Sequence, residues 1–167
     1  CDWKTANKIP WGVLLVVGGG IALSKAFKSS GLADWVGSFS SLFYGVELYL
    51  LILFFVFLII FLTELNSNTA TVATFAPILI VLALGLETNP LYFVIPTTIA
   101  SSCAFMLPIA TPPNAVIFGS GKISINDMIR PGIFLNIVSV VVVTSLCFFI
   151  LNLVLQININ TIPEWIK

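Results

Sequence analysis

The sequence predicts an all-α membrane protein, and three observations support this fold class. The chain of 167 residues is 59% hydrophobic and only 8% charged, whereas about 25% of the residues in soluble domains are charged. No charge lies between Glu87 and Lys122, or between Arg130 and Glu164. The run 50–62 is apolar at every position, which favours helices, because a membrane-spanning barrel would alternate apolar and polar residues.

The same composition excludes several classes of function. Seven basic and seven acidic residues give zero net charge, whereas a nucleic-acid-binding protein needs a basic excess. The sequence has no histidine, so a His-based triad, metal site or proton relay is excluded within this chain. The three cysteines lack the spacing of a disulfide framework or metal cluster. Without an activated nucleophile or paired carboxylates, the sequence does not predict an enzyme.

The first 46 residues predict a polar link followed by helices. The chain begins with Cys1 rather than Met, so we expect it to start within a longer protein. Residues 1–10 are polar and predict a cytoplasmic link. Residues 11–46 predict a transmembrane helix followed by an amphipathic helix at the membrane interface.

Residues 47–87 predict a helical hairpin. Two apolar arms, each of about seventeen residues, flank the polar sequence TELNSNT at 63–69. Each arm would span roughly 25 Å, slightly less than the ~30 Å hydrocarbon core of a bilayer. Two arrangements fit this length: two crossing helices that join outside the membrane, or a re-entrant hairpin with its turn inside.

The remaining residues predict a discontinuous helix and a final span. Three prolines within the sequence PIATPP cannot continue an α-helix, yet apolar residues resume directly afterwards. We therefore expect a discontinuous transmembrane helix over 88–121, interrupted at ATPPN (110–114). A cytoplasmic loop at 122–131 and a last transmembrane helix with its tail at 132–167 complete the prediction.

The two polar clusters, TELNSNT and ATPPN, carry the predicted chemistry. Residues 67–69 stand where the second arm starts, and free backbone N–H groups with the helix dipole form an anion site there. Free carbonyls of the first arm, with the side-chain oxygens of Thr63 and Asn68, suit Na⁺. Thr111 offers a hydroxyl in the second cluster. Such broken helices are typical of secondary transporters; the alternative is that both clusters are capped loops.

Glu64 is the one carboxylate between the two apolar arms. Ionisable residues within a membrane are functional hypotheses by default. Two roles are open for this side chain: it tunes the cation site, or it bridges Ser and Thr groups in packing.

The sequences TELNSNTAT and SSCAFMLPIATPPNAVIFGSG resemble the C-terminal half of the divalent anion:sodium symporters, the family of solute carrier 13 and the INDY-type dicarboxylate transporters. The resemblance implies sodium-coupled secondary transport of di- or tricarboxylates such as succinate. It also implies an elevator mechanism, a multi-pass protein of the plasma (inner) membrane and a homodimer of the full-length chain. A sulfate carrier of the same family and a non-transporting membrane subunit are the alternatives.

The resemblance further implies an architecture and a set of ligands. Members contain two inverted repeats, each with a re-entrant hairpin and a broken helix, so this chain would be one repeat with half the binding site. Such a fragment would not transport alone. The implied substrate contacts are Ser67, Asn68, Thr69, Thr111 and Pro112, and the implied sodium ligands are Thr63, Asn68 and the backbone carbonyls of Asn66 and Ala110.

Overall fold

The computed structural model describes residues 45–163 without a gap, together with separate positions between residues 2 and 43. This part of the chain is helical and contains no strand, which confirms the all-α expectation for it. A 3₁₀-helix at Phe39–Phe43 comes first. The α-helices that follow it are α1 (Leu48–Thr63), α2 (Asn68–Gly85), α3 (Leu91–Ala100), α4 (Pro112–Gly119) and α5 (Ile125–Phe149), and α5 continues as a π-helix over Ile150–Val154.

The predictions for the first part of the chain lie largely outside the described residues. This applies to the polar link at 1–10 and to most of the two helices expected within 11–46.

Helices α1 and α2 form the predicted pair of apolar arms around a polar turn. They contain 16 and 18 residues, or about 24 Å and 27 Å of helix. The N–H groups of Leu65 and Asn66 both bond back to the carbonyl of Leu62, which closes the last turn of α1. Two helices joined by a short polar turn are therefore confirmed, and re-entry into the membrane stays a prediction.

The core lies where α1, α3 and α5 pack against one another, and α2 packs against α3. Buried aliphatic residues of α1 belong to the same core cluster as the aromatic pair Tyr92 and Phe93 of α3. The ring of Phe93 meets that of Phe55 edge-on at 5.9 Å. The Tyr92 hydroxyl donates to the carbonyl of Ile157 at 2.8 Å, so the segment after α5 is held against the start of α3.

An irregular segment, residues 101–111, separates α3 from α4. Helix α4 begins with Pro112, where a missing N–H costs no intrahelical bond and the fixed φ suits the helix. Thr111 before it has an extended backbone, with φ −141° and ψ 152°. The interruption lies where the prolines predict it. That α3 and α4 are two parts of one transmembrane helix stays a prediction.

The start of α5 differs from the prediction. We expected a loop over 122–131 and a helix from residue 132, but the helix begins at Ile125. Its N-terminus carries a capping box: the Asp127 N–H donates to the Ser124 hydroxyl, and the Ser124 N–H donates to the Asp127 carboxylate. Reciprocal capping satisfies backbone donors that would otherwise lack partners, so the helix can start within the polar sequence.

Two of the described helices are long and apolar enough to cross a membrane, by length and composition. They are Asn68–Gly85 and the combined helix Ile125–Val154, whereas α1 and α3 are shorter apolar helices.

Candidate functional site

The turn between α1 and α2 brings three oxygen atoms together. Thr63, at the end of α1, is fully buried. Its hydroxyl lies 2.7 Å from Oδ1 of Asn68, the first residue of α2, and 2.9 Å from the carbonyl oxygen of Ser101. The irregular segment thus supplies one of the three oxygens. Neutral oxygens from a helix end and from an unwound backbone are the groups that coordinate Na⁺ in transporters.

The N-terminus of α2 faces outward beside this oxygen cluster. Ser67 precedes the helix with φ −62° and ψ 132°, and its side chain makes no capping hydrogen bond. Ser67 and Thr69 are exposed and Asn68 is half-buried. The first N–H groups of a helix have no intrahelical acceptor, and the helix dipole is positive there. This end of α2 therefore offers hydroxyl and backbone donors to an anion.

The start of α4 is the second predicted cluster. The hydroxyl of Thr111 accepts a hydrogen bond from the Asn114 N–H at 3.4 Å, which is long for this type of bond. Pro112 is exposed. The Asn114 amide nitrogen donates to the carbonyls of Ala104 and Leu107, both at 3.1 Å. Asn114 therefore fastens α4 to the irregular segment.

Glu64 makes the densest set of contacts in the region. Its side chain is 2% exposed. Oε1 accepts from the N–H groups of Phe105 and Met106, each at 2.8 Å, and Oε2 accepts from the Leu107 N–H at 2.9 Å. Oε1 also accepts from Nδ2 of Asn136 at 2.8 Å. These partners are backbone and amide donors, so the predicted bridging of Ser and Thr groups is wrong; tuning of the cation site stays a prediction.

Helix α5 approaches the irregular segment through residues that the sequence analysis did not select. A Cβ atom on Gly132 would lie 2.6 Å from Cα of Met106 and 2.6 Å from the carbonyl oxygen of Phe105. Any other residue at position 132 would clash with this backbone, so only glycine fits there. Asn136 is fully buried beside Glu64. The available signal was an amide between Leu135 and Ile137 in the last predicted helix.

Two of the predicted sodium ligands are in contact in the structure, and the other two take part in local turns. Thr63 and Asn68 are in direct contact. The N–H groups of Asn66 and Ala110 close local turns on the carbonyls of Leu62 and Leu107. Within the described ranges, no hydrogen bond joins Asn66 or Ala110 to Thr63. Those ranges also contain no group of three or more His, Cys, Asp or Glu residues that could hold a metal ion.

The transmembrane region of the sodium:sulfate symporters matches residues 1–155. The chain belongs to this family. The match confirms the resemblance drawn from the two polar motifs, and it identifies the chain as part of an integral membrane protein.

Individual relatives agree with the family assignment. The chain is 43% identical, over 159 residues and 95% of its length, to the sodium-dependent dicarboxylate transporter SdcS of Staphylococcus saprophyticus. The protein of the same name from Staphylococcus aureus is also 43% identical over the same share. The chain spans 31% of the length of each. The relatives are transporters, so the expectation that the chain is not an enzyme is confirmed.

Proposed function

We propose that this chain is the C-terminal part of a sodium-coupled transporter of di- or tricarboxylates such as succinate. It contributes one inverted repeat, with a re-entrant hairpin formed by α1 and α2 and a broken helix formed by α3 and α4. The names of its relatives support both the ion and the substrate class. The proposed substrate contacts are Ser67, Asn68, Thr69, Thr111 and Pro112, and the proposed sodium ligands are Thr63, Asn68 and the carbonyls of Asn66 and Ala110.

The proposal rests on the polar groups that meet at the hairpin tip, residues 63–69. Three oxygens, from Thr63, Asn68 and Ser101, lie together, and Ser67 beside them makes no capping hydrogen bond. The sequence carries no Lys or Arg from residue 29 to residue 121. A dianion bound here would therefore be balanced by helix N-termini and by neighbouring Na⁺ rather than by basic side chains of this stretch. Such a site makes anion binding depend on sodium.

The remaining features of the proposal concern the whole transporter. The full-length protein would lie in the plasma (inner) membrane as a homodimer. The hairpin and the broken helix would move together against a scaffold, as in an elevator. Their mutual attachment supports this, because the α1 end binds the irregular segment through Thr63 and Glu64. The other half of the binding site would come from the part of the protein outside this chain.

Sulfate is the second candidate substrate, because the family description names it. Sulfate and dicarboxylates are both divalent oxyanions, and both accept hydrogen bonds from neutral donors at a helix N-terminus. The hairpin tip fits either one, so a direct comparison of the two anions is needed.

The proposal is tested by uptake into proteoliposomes that contain the full-length transporter. We expect an inward Na⁺ gradient to drive uptake of labelled succinate, and an equal K⁺ gradient to drive none. Excess unlabelled citrate should reduce this uptake more than excess sulfate does. Sodium-driven sulfate uptake without succinate uptake would select the second candidate. Uptake of neither anion, by protein that is folded, would indicate a non-transporting subunit. Residues 1–167 alone should be inactive.

A further inference from the structure

Two adjacent residues at the end of α1 hold the irregular segment at two places. The Thr63 hydroxyl contacts the carbonyl of Ser101, where the segment begins. The Glu64 carboxylate holds the N–H groups of residues 105–107, near its middle. Thr63 also contacts Asn68, the first residue of α2. Thr63 belongs to the proposed sodium site, and its neighbour Glu64 binds the segment that leads to Thr111. The peptide bond between these two residues therefore links the site to the segment.

The Glu64 carboxylate is itself held in position by α5. Asn136 donates to Oε1, and the two side chains are 2% and 0% exposed. Gly132, one helical turn earlier, lets the backbone of α5 lie against Phe105 and Met106. The carboxylate has four donors, and both of its oxygens are used. Removing it would leave three backbone N–H groups without their acceptor, which is costly in a buried site.

We propose that Glu64 is a positioning residue that couples the sodium site at Thr63 and Asn68 to the substrate-binding segment ending at Thr111. This inference rests on the proposed function. Sodium bound at Thr63 and Asn68 fixes the end of α1, which contacts the start of the segment through the Ser101 carbonyl. Because Glu64 follows Thr63 directly, its hydrogen bonds fix residues 105–107 in position at the same time. The segment is then ordered, and Thr111 is in place before the dicarboxylate binds.

A coupling of this kind acts in both directions. If sodium binding raises the affinity for succinate by some factor, succinate must raise the affinity for sodium by the same factor. A residue that only stabilises the fold would lower the unfolding temperature without changing this factor. The coupling factor therefore separates a positioning role from a structural one.

The test measures thermal unfolding of the full-length transporter over a range of Na⁺ concentrations, with and without succinate. In the unmodified protein we expect each ligand to raise the apparent affinity for the other. Glu64→Gln keeps the size of the side chain but replaces one acceptor oxygen with a donor that faces a backbone N–H. We expect it to lower the coupling factor by about fivefold or more. Glu64→Asp, which keeps both oxygens on a shorter side chain, should be intermediate.

Two controls identify the contact that matters. Glu87→Gln removes an exposed carboxylate at the end of α2 and should leave the coupling factor unchanged. The exchange Glu64→Gln with Asn136→Asp preserves an amide–carboxylate pair but leaves only one oxygen for the three N–H groups. We expect no rescue by this exchange. A full rescue would show that the pair with Asn136, and not the backbone contacts, produces the effect, and would overturn the proposal.

A second measurement follows the position of the segment directly. Cys103 lies within it and is half-buried, whereas Cys147 is buried in α5. We expect Glu64→Gln to increase the rate at which a maleimide labels Cys103 by about fivefold, with Cys147 unchanged, as followed by mass spectrometry of the two peptides. If Glu64→Gln does not yield folded protein, Glu64→Asp serves in both measurements, with smaller effects of the same sign.

The outcomes distinguish the two proposals. An unmodified protein that is stabilised by neither sodium nor succinate would contradict the proposed function, and this inference with it. An unmodified protein with coupled binding, together with a folded Glu64→Gln variant that has the same coupling factor and the same Cys103 labelling rate, would overturn the positioning role alone.

Discussion

Two of the interruptions between helices, the turn between α1 and α2 and the irregular segment 101–111, are stabilised in opposite ways. At the turn between α1 and α2, the side chain of Ser67 makes no capping bond, and both Ser67 and Thr69 are exposed. In the irregular segment 101–111, the N–H groups of residues 105–107 are bound by Glu64, and two carbonyls are bound by Asn114.

This difference indicates that the two regions have different roles. Polar groups buried away from water need partners within the protein, and the irregular segment obtains them from Glu64 on the hairpin and Asn114 on α4. The hairpin tip has donors left over, which is the condition for binding a ligand in place of water. We therefore propose that the segment is a support whose position matters, and that the tip contacts the substrate and the ion.

The largest expected effect is at the hairpin tip. Asn68→Ala removes the side-chain oxygen that lies 2.7 Å from the Thr63 hydroxyl and a predicted substrate contact. Hydrogen bonds to charged groups contribute about 1.5–3 kcal/mol each, so we expect sodium-driven succinate uptake to fall by about 100-fold in proteoliposomes. Asn126→Ala, at an exposed site on α5, is the matched control and should transport normally. Equal uptake by the two variants would contradict the proposed site.

The next effect concerns the support of the irregular segment. Gly132→Ala places a Cβ against backbone atoms of Phe105 and Met106, which cannot move without displacing the segment. Overpacking of this kind costs about 1–3 kcal/mol, measured as the change in unfolding free energy. Succinate affinity should fall as well, since Thr111 follows the same segment.

Gly119→Ala is the matched control for that substitution, because a Cβ there meets no atom within 4 Å. We expect it to leave both stability and affinity nearly unchanged. A Gly132→Ala variant that behaves like Gly119→Ala would show that α5 does not support the segment.

The smallest effect lies away from both polar regions. Ser124→Ala removes the side chain that caps α5 and should cost about 1 kcal/mol of stability. Uptake per folded molecule should not change, because the cap contacts neither the hairpin tip nor the irregular segment. Loss of uptake without loss of stability would place α5's first turn within the transport machinery.

The sequence predicted the features that depend on local pattern. Long uncharged runs identified α1 and α2, and the cluster around Asn68 identified the turn between them. Clustered prolines identified the interruption before α4. Thr63 and Asn68, five positions apart in the chain, could be paired because a short turn must bring them together.

Contacts between distant positions could not be predicted in this way. The donors to Glu64 lie 41 to 43 positions along the chain, and Asn136 lies 72 positions away. Nothing in the local pattern relates them, because their proximity depends on how α5 packs against α1. The start of α5 was missed for a different reason: the signal from Ser124 and Asp127 was present but lay within a polar stretch that also fits a loop.

The central claim is that the hairpin tip, and not the surrounding surface, binds the substrate with sodium. It is tested most directly by labelling Ser67→Cys in the full-length transporter with a thiol reagent. We predict that sodium and succinate together slow labelling severalfold, that succinate with K⁺ does not, and that Ser120→Cys at the exposed end of α4 is labelled at the same rate throughout. Labelling of Ser67→Cys at one rate under all three conditions would contradict the claim.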